Sequence, residues 1–210
     1  MKMKRIIQLS VVCIAVVAIF VSCGSPKPEK TIENLKAAIK GETNASATYQ
    51  AFSGKAAEDG YPNISKMFAA ASAAEAIHVK NHNAVLAKLG EEACTPTADT
   101  PKVSAMAENL QAAIDGETYE FTVMYPGFID IAVSEKCNDA LTSFTWANDA
   151  EITHAKMYTE ALKVLIATES DETVAPVWYV CPKCGDLFNT IEGLDNCPLC
   201  GTKPSTFLKF

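Results

Sequence analysis

The chain lacks an excess of positive charge. Its 210 residues include 18 Lys and Arg against 25 Asp and Glu, which gives a formal net charge of −7. Residues 1–22 carry three positive charges and no negative ones, so the rest of the chain is more acidic still, at −10. This balance argues against nucleic acid, and against an anionic membrane surface, as a partner of the folded part.

The chain also lacks a hydrophobic run as long as a membrane-spanning helix requires. Three basic residues precede an apolar stretch at 6–21, about 16 residues long, whereas a spanning helix needs roughly 20. A basic start and a short apolar centre are typical of an export signal, here residues 1–22. Cys23 follows directly, as in a bacterial lipoprotein box. This predicts a lipidated Cys23 and a membrane-anchored protein of the bacterial cell envelope; the alternative is an uncleaved N-terminal anchor helix.

An internal repeat is the most informative feature of the chain. Residues 33–43 return as residues 108–118 at an offset of 75, and Glu-x-x-His at 75–78 returns at 151–154 at an offset of 76. Glu and His at this spacing lie on one face of a helix, one turn apart. Two Glu and two Glu-x-x-His are the inward-facing ligands of a four-helix bundle that holds two metal ions. The candidate ligands are Glu42, Glu75, His78, Glu117, Glu151 and His154.

Hydrophobic periodicity divides the mature chain into a short tether and a helical unit. Residues 23–30 are polar and rich in Pro, and apolar residues then recur in steps of three and four over four segments. Residues 31–170 are therefore predicted to form a mainly α, ferritin-like four-helix bundle. Carboxylates in such apolar surroundings are costly to bury unless they are protonated or coordinated, and iron favours carboxylate and imidazole ligands.

The change of offset from 75 to 76 indicates one extra residue in the third helix. It falls between Glu117 and Tyr125, which match Glu42 and Tyr49 of the first helix. A single inserted residue is usually accommodated as a π-bulge, often at a functional site. We therefore predict a π-type irregularity in the third helix and none in the first. Such a bulge would bring Glu120 toward the metals; the alternative is a solvated Glu120.

Residues 171–210 carry a second metal-binding pattern. Two Cys-Pro-x-Cys-Gly knuckles are separated by 12 residues. Four thiolates in a tetrahedral arrangement bind zinc or a single iron, and only iron can pass single electrons. The four candidate ligands are Cys181, Cys184, Cys197 and Cys200.

Together these motifs resemble the rubrerythrin family. The resemblance covers nearly all of residues 31–210 and includes Met-Tyr-Pro at 124–126 and the rubredoxin-like four-cysteine end. It implies a di-iron peroxidase that reduces hydrogen peroxide to water. The four-cysteine site would hold iron and relay electrons from a donor protein or reductase. The resemblance also implies a homodimer in which the small domain of one chain lies near the bundle of its partner.

The resemblance assigns a role to each ligand of the two irons. Glu42 would be a terminal ligand of one iron, and Glu117 and His154 would be terminal ligands of the other. Glu75 and Glu151 would bridge the pair. The export signal departs from the family, whose members are typically cytoplasmic, so the usual electron donors do not carry over.

Residues around the ligands also receive roles from the resemblance. One iron would move between Glu120 and His78 as the redox state changes. Tyr49 and Tyr125 match tyrosines beside the ligands, and with Glu120 they are the candidate proton donors. His82, one turn past His78, has no match in the family pattern and is expected at the surface.

Two other functions stay open at this point. One is a ferritin-like envelope protein that binds or oxidises iron without efficient peroxide turnover. The other is a lipoprotein scaffold whose four-cysteine site holds structural zinc. A ferric tetrathiolate is red and a zinc site is colourless, so the colour of the protein distinguishes them.

Two cysteines lie outside the four-cysteine pattern. Cys94 follows the second helix, and Cys137 lies in the turn between the third and fourth helices. In a ferritin-like bundle both positions are at the same end, so an exported chain could join them in a disulfide. The alternative is two independent thiols.

Overall fold

A computed structural model describes residues 27–210. The predicted export signal at 1–22, the predicted lipidation site Cys23 and most of the tether lie outside these residues. The described part consists of a helical bundle followed by a small sheet. No helix within it is long and apolar enough to cross a membrane.

Four long helical segments form the bundle, as the periodicity predicts. They are α1 (Glu29–Glu58), α2 (Pro62–Lys88), a third segment made of α3 (Met106–Tyr119), a π-helical turn (Glu120–Met124) and α4 (Tyr125–Ser134), and α5 (Asn138–Thr168). Pro62 lies in the first turn of α2, where its missing N–H is not needed. Gly90 follows α2 with a φ of 78°, a left-handed conformation that ends the helix without strain.

The π-helical turn lies where the repeat offset changes. It spans Glu120–Met124, between Glu117 and Tyr125, and α1 remains α-helical from Glu29 to Glu58. The predicted irregularity in the third helix and its absence from the first are both confirmed. The extra residue widens one helical turn and preserves the positions of Glu117 before it and Tyr125 after it.

Two apolar clusters fill the bundle and enclose a polar layer. Along α1, one cluster contains Leu35 and Ile39, and the other contains Tyr49 and Phe52. Glu42 lies between them on the same helix and is fully buried. The fold therefore positions the candidate ligands between two apolar layers, remote from water.

The C-terminal unit is a three-stranded antiparallel sheet that carries the cysteine knuckles. The strands are β1 (Tyr179–Val180), β2 (Leu187–Phe188) and β3 (Leu208–Lys209), in the order β2-β1-β3, and a 3₁₀ turn (Pro204–Thr206) precedes β3. Cys181 and Cys184 lie in the loop between β1 and β2.

The small unit contacts the bundle of its own chain. Asp171 in the linker accepts hydrogen bonds from the backbone N–H groups of Asn63 and Ile64 at the start of α2, at 2.6 and 2.9 Å. Asn81 of α2 donates to the carbonyl of Lys183 at 2.8 Å. Within one chain the anchored linker brings the module onto α2, and the contact with a partner's bundle that the resemblance implies stays a prediction.

Cys94 and Cys137 are two free thiols in the structure, which agrees with the alternative of independent thiols and not with a disulfide between them. Both residues belong to the same apolar cluster, so their placement at one end of the bundle is correct. Asn83 fixes the backbone of Cys94 through hydrogen bonds to its N–H and its carbonyl, at 2.7 and 3.0 Å. Cys137 is held separately, at the start of α5. Each thiol packs into the apolar core.

Candidate metal centre

The six predicted ligands of the bundle converge in two overlapping groups. Within each group the candidate ligand atoms lie within 4.8 Å of one another, and every residue is buried. Glu75 and Glu151 belong to both groups, as the bridging role predicts. The first group is Glu42, Glu75, His78 and Glu151, and the second is Glu75, Glu117, Glu151 and His154.

Helix geometry places each Glu-x-x-His pair on the metal-facing side. His78 Nδ1 lies 2.9 Å from Glu75 Oε2, and His154 Nδ1 lies 2.7 Å from Glu151 Oε2, three residues apart on α2 and α5. Across the bundle, His154 Nδ1 is 3.2 Å from Glu75 Oε1. The four helices thus bring into contact side chains that are far apart along the chain.

The ligand atoms fit a pair of metal ions. The two histidine Nδ1 atoms and both carboxylate oxygens of Glu75 and Glu151 are buried without a hydrogen-bond partner. Buried polar atoms without partners are rare and costly. Carboxylate and imidazole groups gathered in this way, without hydrogen-bond partners, are the ligands that hold iron in a four-helix bundle.

Burial and mutual repulsion dominate the pKa values of the carboxyl groups. Burial, followed by the nearby Glu151, raises the pKa of Glu42 to about 8 and raises the pKa of Glu117 well above its usual range. Burial also raises the pKa of Glu75, but His154 and His78 outweigh it and lower that pKa to about 2. A site that holds this much negative charge out of water requires protons or cations.

The carboxylates in turn act on the two histidines. Burial lowers the pKa of each imidazole, but the surrounding carboxylates, Glu151 first for His78 and Glu75 first for His154, raise both pKa values well above the usual range. Without metal, protons on these rings balance the carboxylate charge. Bound metal would replace them, because imidazole coordinates in its neutral form.

We expect the metal-free protein to lose stability as the pH rises from about 4.5 to about 8. The pKa of Glu42 is 4.5 for the free side chain and about 8 in the fold, so the folded chain keeps a proton that the unfolded chain releases. The raised pKa values of His78 and His154 act in the same direction above about 6.5. Glu75 acts in the opposite direction, because its contribution to the stability of the fold is lost only as the pH falls from 4.5 toward about 2.

Urea unfolding of metal-free and iron-loaded protein at pH 5 and pH 8 measures this loss. The urea midpoint of the metal-free protein is expected to be lower at pH 8 than at pH 5, by an amount equivalent to a few kcal/mol. Bound metal is expected to remove most of this pH dependence. A metal-free protein that is equally stable at both pH values would contradict the pKa assignments.

Two tyrosines lie beside the ligands, as the resemblance implies. The Tyr49 hydroxyl donates to Glu117 Oε1 at 2.6 Å, and the Tyr125 hydroxyl donates to Glu42 Oε1. Both rings are buried. Burial, with the nearby carboxylates, raises both tyrosine pKa values well above the usual range, so the phenols remain protonated.

Glu120 lies near the site but outside both groups of ligands. It is half-buried in the π-helical turn, and its Oε1 would be 3.8 Å from a Cβ at Gly41. His78, and not Glu120, completes the group around Glu42. Burial and the neighbouring carboxylates raise the pKa of Glu120 well above its usual range. The exchange of one iron between Glu120 and His78 that the resemblance implies stays a prediction.

The expectation that His82 lies at the surface is wrong. Its imidazole is fully buried, with Nδ1 2.8 Å from Ser143 Oγ and Nε2 3.1 Å from the Tyr125 hydroxyl. Position 82 is one turn past a metal ligand, on the face of α2 that points into the bundle. The repeat contained a signal, because at an offset of 76 His82 matches Tyr158, another buried side chain.

The four cysteines form a compact thiol cluster that touches the di-metal site. The Sγ atoms of Cys181 and Cys200 are 3.4 Å apart, and those of Cys184 and Cys197 are 3.5 Å apart. The hydrogen bond between Cys184 and Cys181 lowers the pKa of Cys181 to about 5 and raises the pKa of Cys184 well above its usual range, so Cys181 is the thiol that this contact favours as a thiolate. All four ligand atoms lie within 4.8 Å of one another.

The cysteine loop lies directly against both histidine ligands. The carbonyl oxygen of Cys184 is 3.0 Å from His78 Nε2, and that of Gly185 is 3.4 Å from His154 Nε2. Gly185 has a φ of 85°, and a Cβ there would clash with His78 Nε2. Only glycine permits this approach, so the knuckle sequence itself allows the loop to reach the site.

Comparison with known proteins decides the family. The sequence profile described as Rubrerythrin matches residues 33–162, more than half of the chain. The chain belongs to the rubrerythrin family. The two overlapping ligand groups are accordingly the di-iron site of a rubrerythrin, and the four cysteines form a site consistent with iron or zinc in a rubredoxin-like domain.

Individual relatives agree over nearly the full length. Nigerythrin of Nitratidesulfovibrio vulgaris is 38% identical over 180 residues, 86% of this chain and 86% of that protein. Rubrerythrin-2 of Clostridium acetobutylicum is 33% identical over 187 residues, 89% of this chain and 100% of that protein. A structure of fully reduced, all-ferrous nigerythrin has a TM-score of 0.75 at 36% identity and covers 99% of this chain and 100% of that one.

A more distant likeness concerns the fold alone. A bacterioferritin of Desulfovibrio desulfuricans has a TM-score of 0.64 at 18% identity and covers 70% of this chain. The predicted ferritin-like four-helix bundle with a rubredoxin-like module is therefore confirmed. Rubrerythrins are oxidoreductases.

Proposed function

We propose that the chain reduces hydrogen peroxide to water at the di-iron site, with electrons that arrive singly through an iron in the four-cysteine site. The observation that carries this proposal is the contact of the cysteine loop with both His78 and His154. Iron storage needs no redox module against the ligands, and a purely structural zinc site gains nothing from this contact. The all-ferrous state of nigerythrin, named in its structure, is consistent with a reducible centre.

Peroxide reduction requires electrons and protons together. One hydrogen peroxide takes up two electrons and two protons as its O–O bond breaks, and two waters form. Two irons held by these ligands would supply both electrons. The chain itself must hold and deliver the protons, and the apolar layers on either side of the site keep bulk water away from it.

Three buried or half-buried acids are available as proton donors. Tyr49 and Tyr125 already donate hydrogen bonds to Glu117 and Glu42. Burial and the neighbouring carboxylates raise the pKa of Glu120 well above its usual range, which favours its protonated form. Two of these groups would release one proton each to the peroxide oxygens as the O–O bond breaks, which is general acid catalysis.

The location and partners form a further part of the proposal. The basic, apolar N-terminus and Cys23 support a lipid-anchored protein of the bacterial cell envelope that faces away from the cytoplasm. Its reductant would then be an electron-donor protein or reductase of the envelope. The family resemblance supports a homodimer, and the acidic body argues against nucleic acid as a partner.

Peroxide selectivity tests the proposed reaction. We expect the fully reduced protein to be oxidised by hydrogen peroxide at least about tenfold faster than by dioxygen at equal concentration, a difference of about 1.4 kcal/mol in barrier. Stopped-flow absorbance at the ferric bands measures both rates. The control is the same protein with zinc in the bundle site, which has no electrons to give.

The alternative function makes the opposite prediction. Equal rates with the two oxidants, with ferric iron accumulating inside the protein after repeated additions of ferrous iron, would support a ferritin-like iron oxidase. That result would overturn the peroxidase proposal.

A further inference from the structure

A buried chain of hydrogen bonds leads away from the di-iron site through His82. The Tyr125 hydroxyl contacts Glu42, His82 Nε2 lies 3.1 Å from that hydroxyl, and His82 Nδ1 lies 2.8 Å from Ser143 Oγ. At most 5% of any of these residues is exposed to solvent. These hydrogen bonds connect an iron ligand, without a break, to a serine on α5.

The chemistry of the groups fixes the direction of the donors. Tyr125 donates to Glu42, so its oxygen accepts the Nε2–H of His82. Burial, with His78 as a lesser cause, lowers the pKa of His82 to about 3, so the ring is neutral and its Nδ1 is an acceptor. Ser143 therefore donates to Nδ1. In each of these three hydrogen bonds, the donated hydrogen points toward the metal site.

The outer end of the chain reaches a surface cavity. Ser143 lines a cavity of about 190 Å³ together with Asn81 and Trp146, and with the exposed side chains of Lys88 and Thr142. Its volume accommodates several water molecules, at about 30 Å³ each. Ser143, which is 5% exposed, is the member of the hydrogen-bond chain that lines this cavity.

The other half of the repeat provides an internal comparison. At an offset of 76, Tyr158 takes the place of His82 beside Tyr49, and Met67 takes the place of Ser143. Within the described residues the Tyr158 hydroxyl forms no hydrogen bond, and Met67 is fully buried and apolar. The Tyr49 side therefore has no comparable chain to the surface, although the ligands of the two halves match.

We propose that His82 and Ser143 connect Tyr125 to the surface cavity and form the path by which protons enter the di-iron site. The inference rests on the proposed peroxide reduction, which consumes two protons for each peroxide. Tyr125 would release its proton toward the leaving oxygen and regain one from His82 Nε2. His82 would take a proton on Nδ1 from Ser143, which is reprotonated by cavity water. One proton moves inward, and no residue changes its net charge.

His82 acts through Tyr125 and does not touch the substrate, so the test must separate proton transfer from positioning. His82→Gln keeps a donor for Tyr125 but cannot accept and release a proton. His82→Leu removes both. Ser143→Ala leaves the contact of His82 with Tyr125 and cuts only the link to the cavity. The matched control is Tyr158→Phe, which removes the hydroxyl at the equivalent position of the other half.

Steady-state reduction of peroxide by the iron-loaded protein, with a rubredoxin reductase as electron source, in H₂O and in D₂O, gives the first readout, because repeated turnover requires new protons. We expect His82→Leu, His82→Gln and Ser143→Ala each to slow turnover about tenfold or more and to increase the solvent isotope effect, since general acid catalysis contributes about a hundredfold or more. Tyr158→Phe is expected to keep the wild-type rate and isotope effect. Metal content confirms that each variant folds.

The metal-free protein gives a readout independent of activity. Nitrogen-15 NMR of labelled histidine should show His82 as a neutral ring protonated at Nε2, and Tyr125→Phe should shift that signal. A ring protonated at Nδ1, or a cationic ring, would overturn the donor order.

The remaining outcomes distinguish the two proposals. If wild type reacts faster with peroxide than with dioxygen but His82→Gln restores the wild-type rate, His82 only positions Tyr125 and the proton path is overturned. An unchanged rate in Ser143→Ala also overturns it. If wild type itself shows no preference for peroxide, the proposed function fails first, and the path fails with it.

Discussion

Glu75→Ala is expected to abolish the di-iron centre. Glu75 is the carboxylate of α2 that belongs to both ligand groups, and both of its oxygens are buried without a hydrogen-bond partner. Its removal takes one ligand from each metal and leaves His78 and His154 without their nearest carboxylate on α2. We expect iron in the bundle to fall from about two ions per chain to well below one.

Metal analysis after anaerobic reconstitution measures the loss, and the four-cysteine site serves as the internal standard. Glu75→Gln is the companion variant: it keeps the volume of the side chain but offers a neutral amide, so it should lose iron as well. Glu108→Ala is the control, because Glu108 is an exposed glutamate of the third helix segment. Full occupancy in Glu75→Ala would show that Glu75 does not bridge the metals.

The sequence was sufficient to predict the ligands because their chemistry is repeated. Glu75-x-x-His78 and Glu151-x-x-His154 each report one helical face, and the doubling makes a chance match improbable. The π-helical turn was equally accessible, since an offset that changes from 75 to 76 inside a helix leaves one residue to be accommodated there. In both cases a local pattern determines the structure.

Features that depend on packing between helices were not accessible in the same way. His82 has polar chemistry in a sequence window that also contains Lys80 and Asn81, so only its repeat match to Tyr158, and nothing local, distinguishes it from a surface residue. Its burial arises because Ser143 of α5 and Tyr125 of α4 supply its partners. The two thiols at 94 and 137 show the same limit: topology placed them at one end, but the hydrogen bonds of Asn83 fix Cys94.

Cys197→Ser is expected to stop repeated turnover while sparing a single one. Cys197 belongs to the second knuckle and does not take part in the contact with His78, so the cysteine loop can remain on the di-iron site. A serine hydroxyl is neutral near pH 7 and is a poor ligand for a site built from soft thiolates. An iron in this site would pass electrons singly, so its loss separates the bundle from its reductant.

Two assays on the same iron-loaded protein resolve the effect. With chemically pre-reduced protein, oxidation by one equivalent of peroxide is expected to stay within about threefold of wild type, because the bundle ligands are intact. With a rubredoxin reductase and excess peroxide, steady-state turnover is expected to fall by about a hundredfold or more, because electrons no longer enter through the tetrathiolate.

Cys94→Ser, which alters a free thiol outside the site, is the control for loss of sulfur. Replacement of iron by zinc at the four cysteines keeps the fold and removes only redox activity. If that zinc-loaded protein turned over at the wild-type rate, the module would be structural, and electrons would have to enter the bundle by another route.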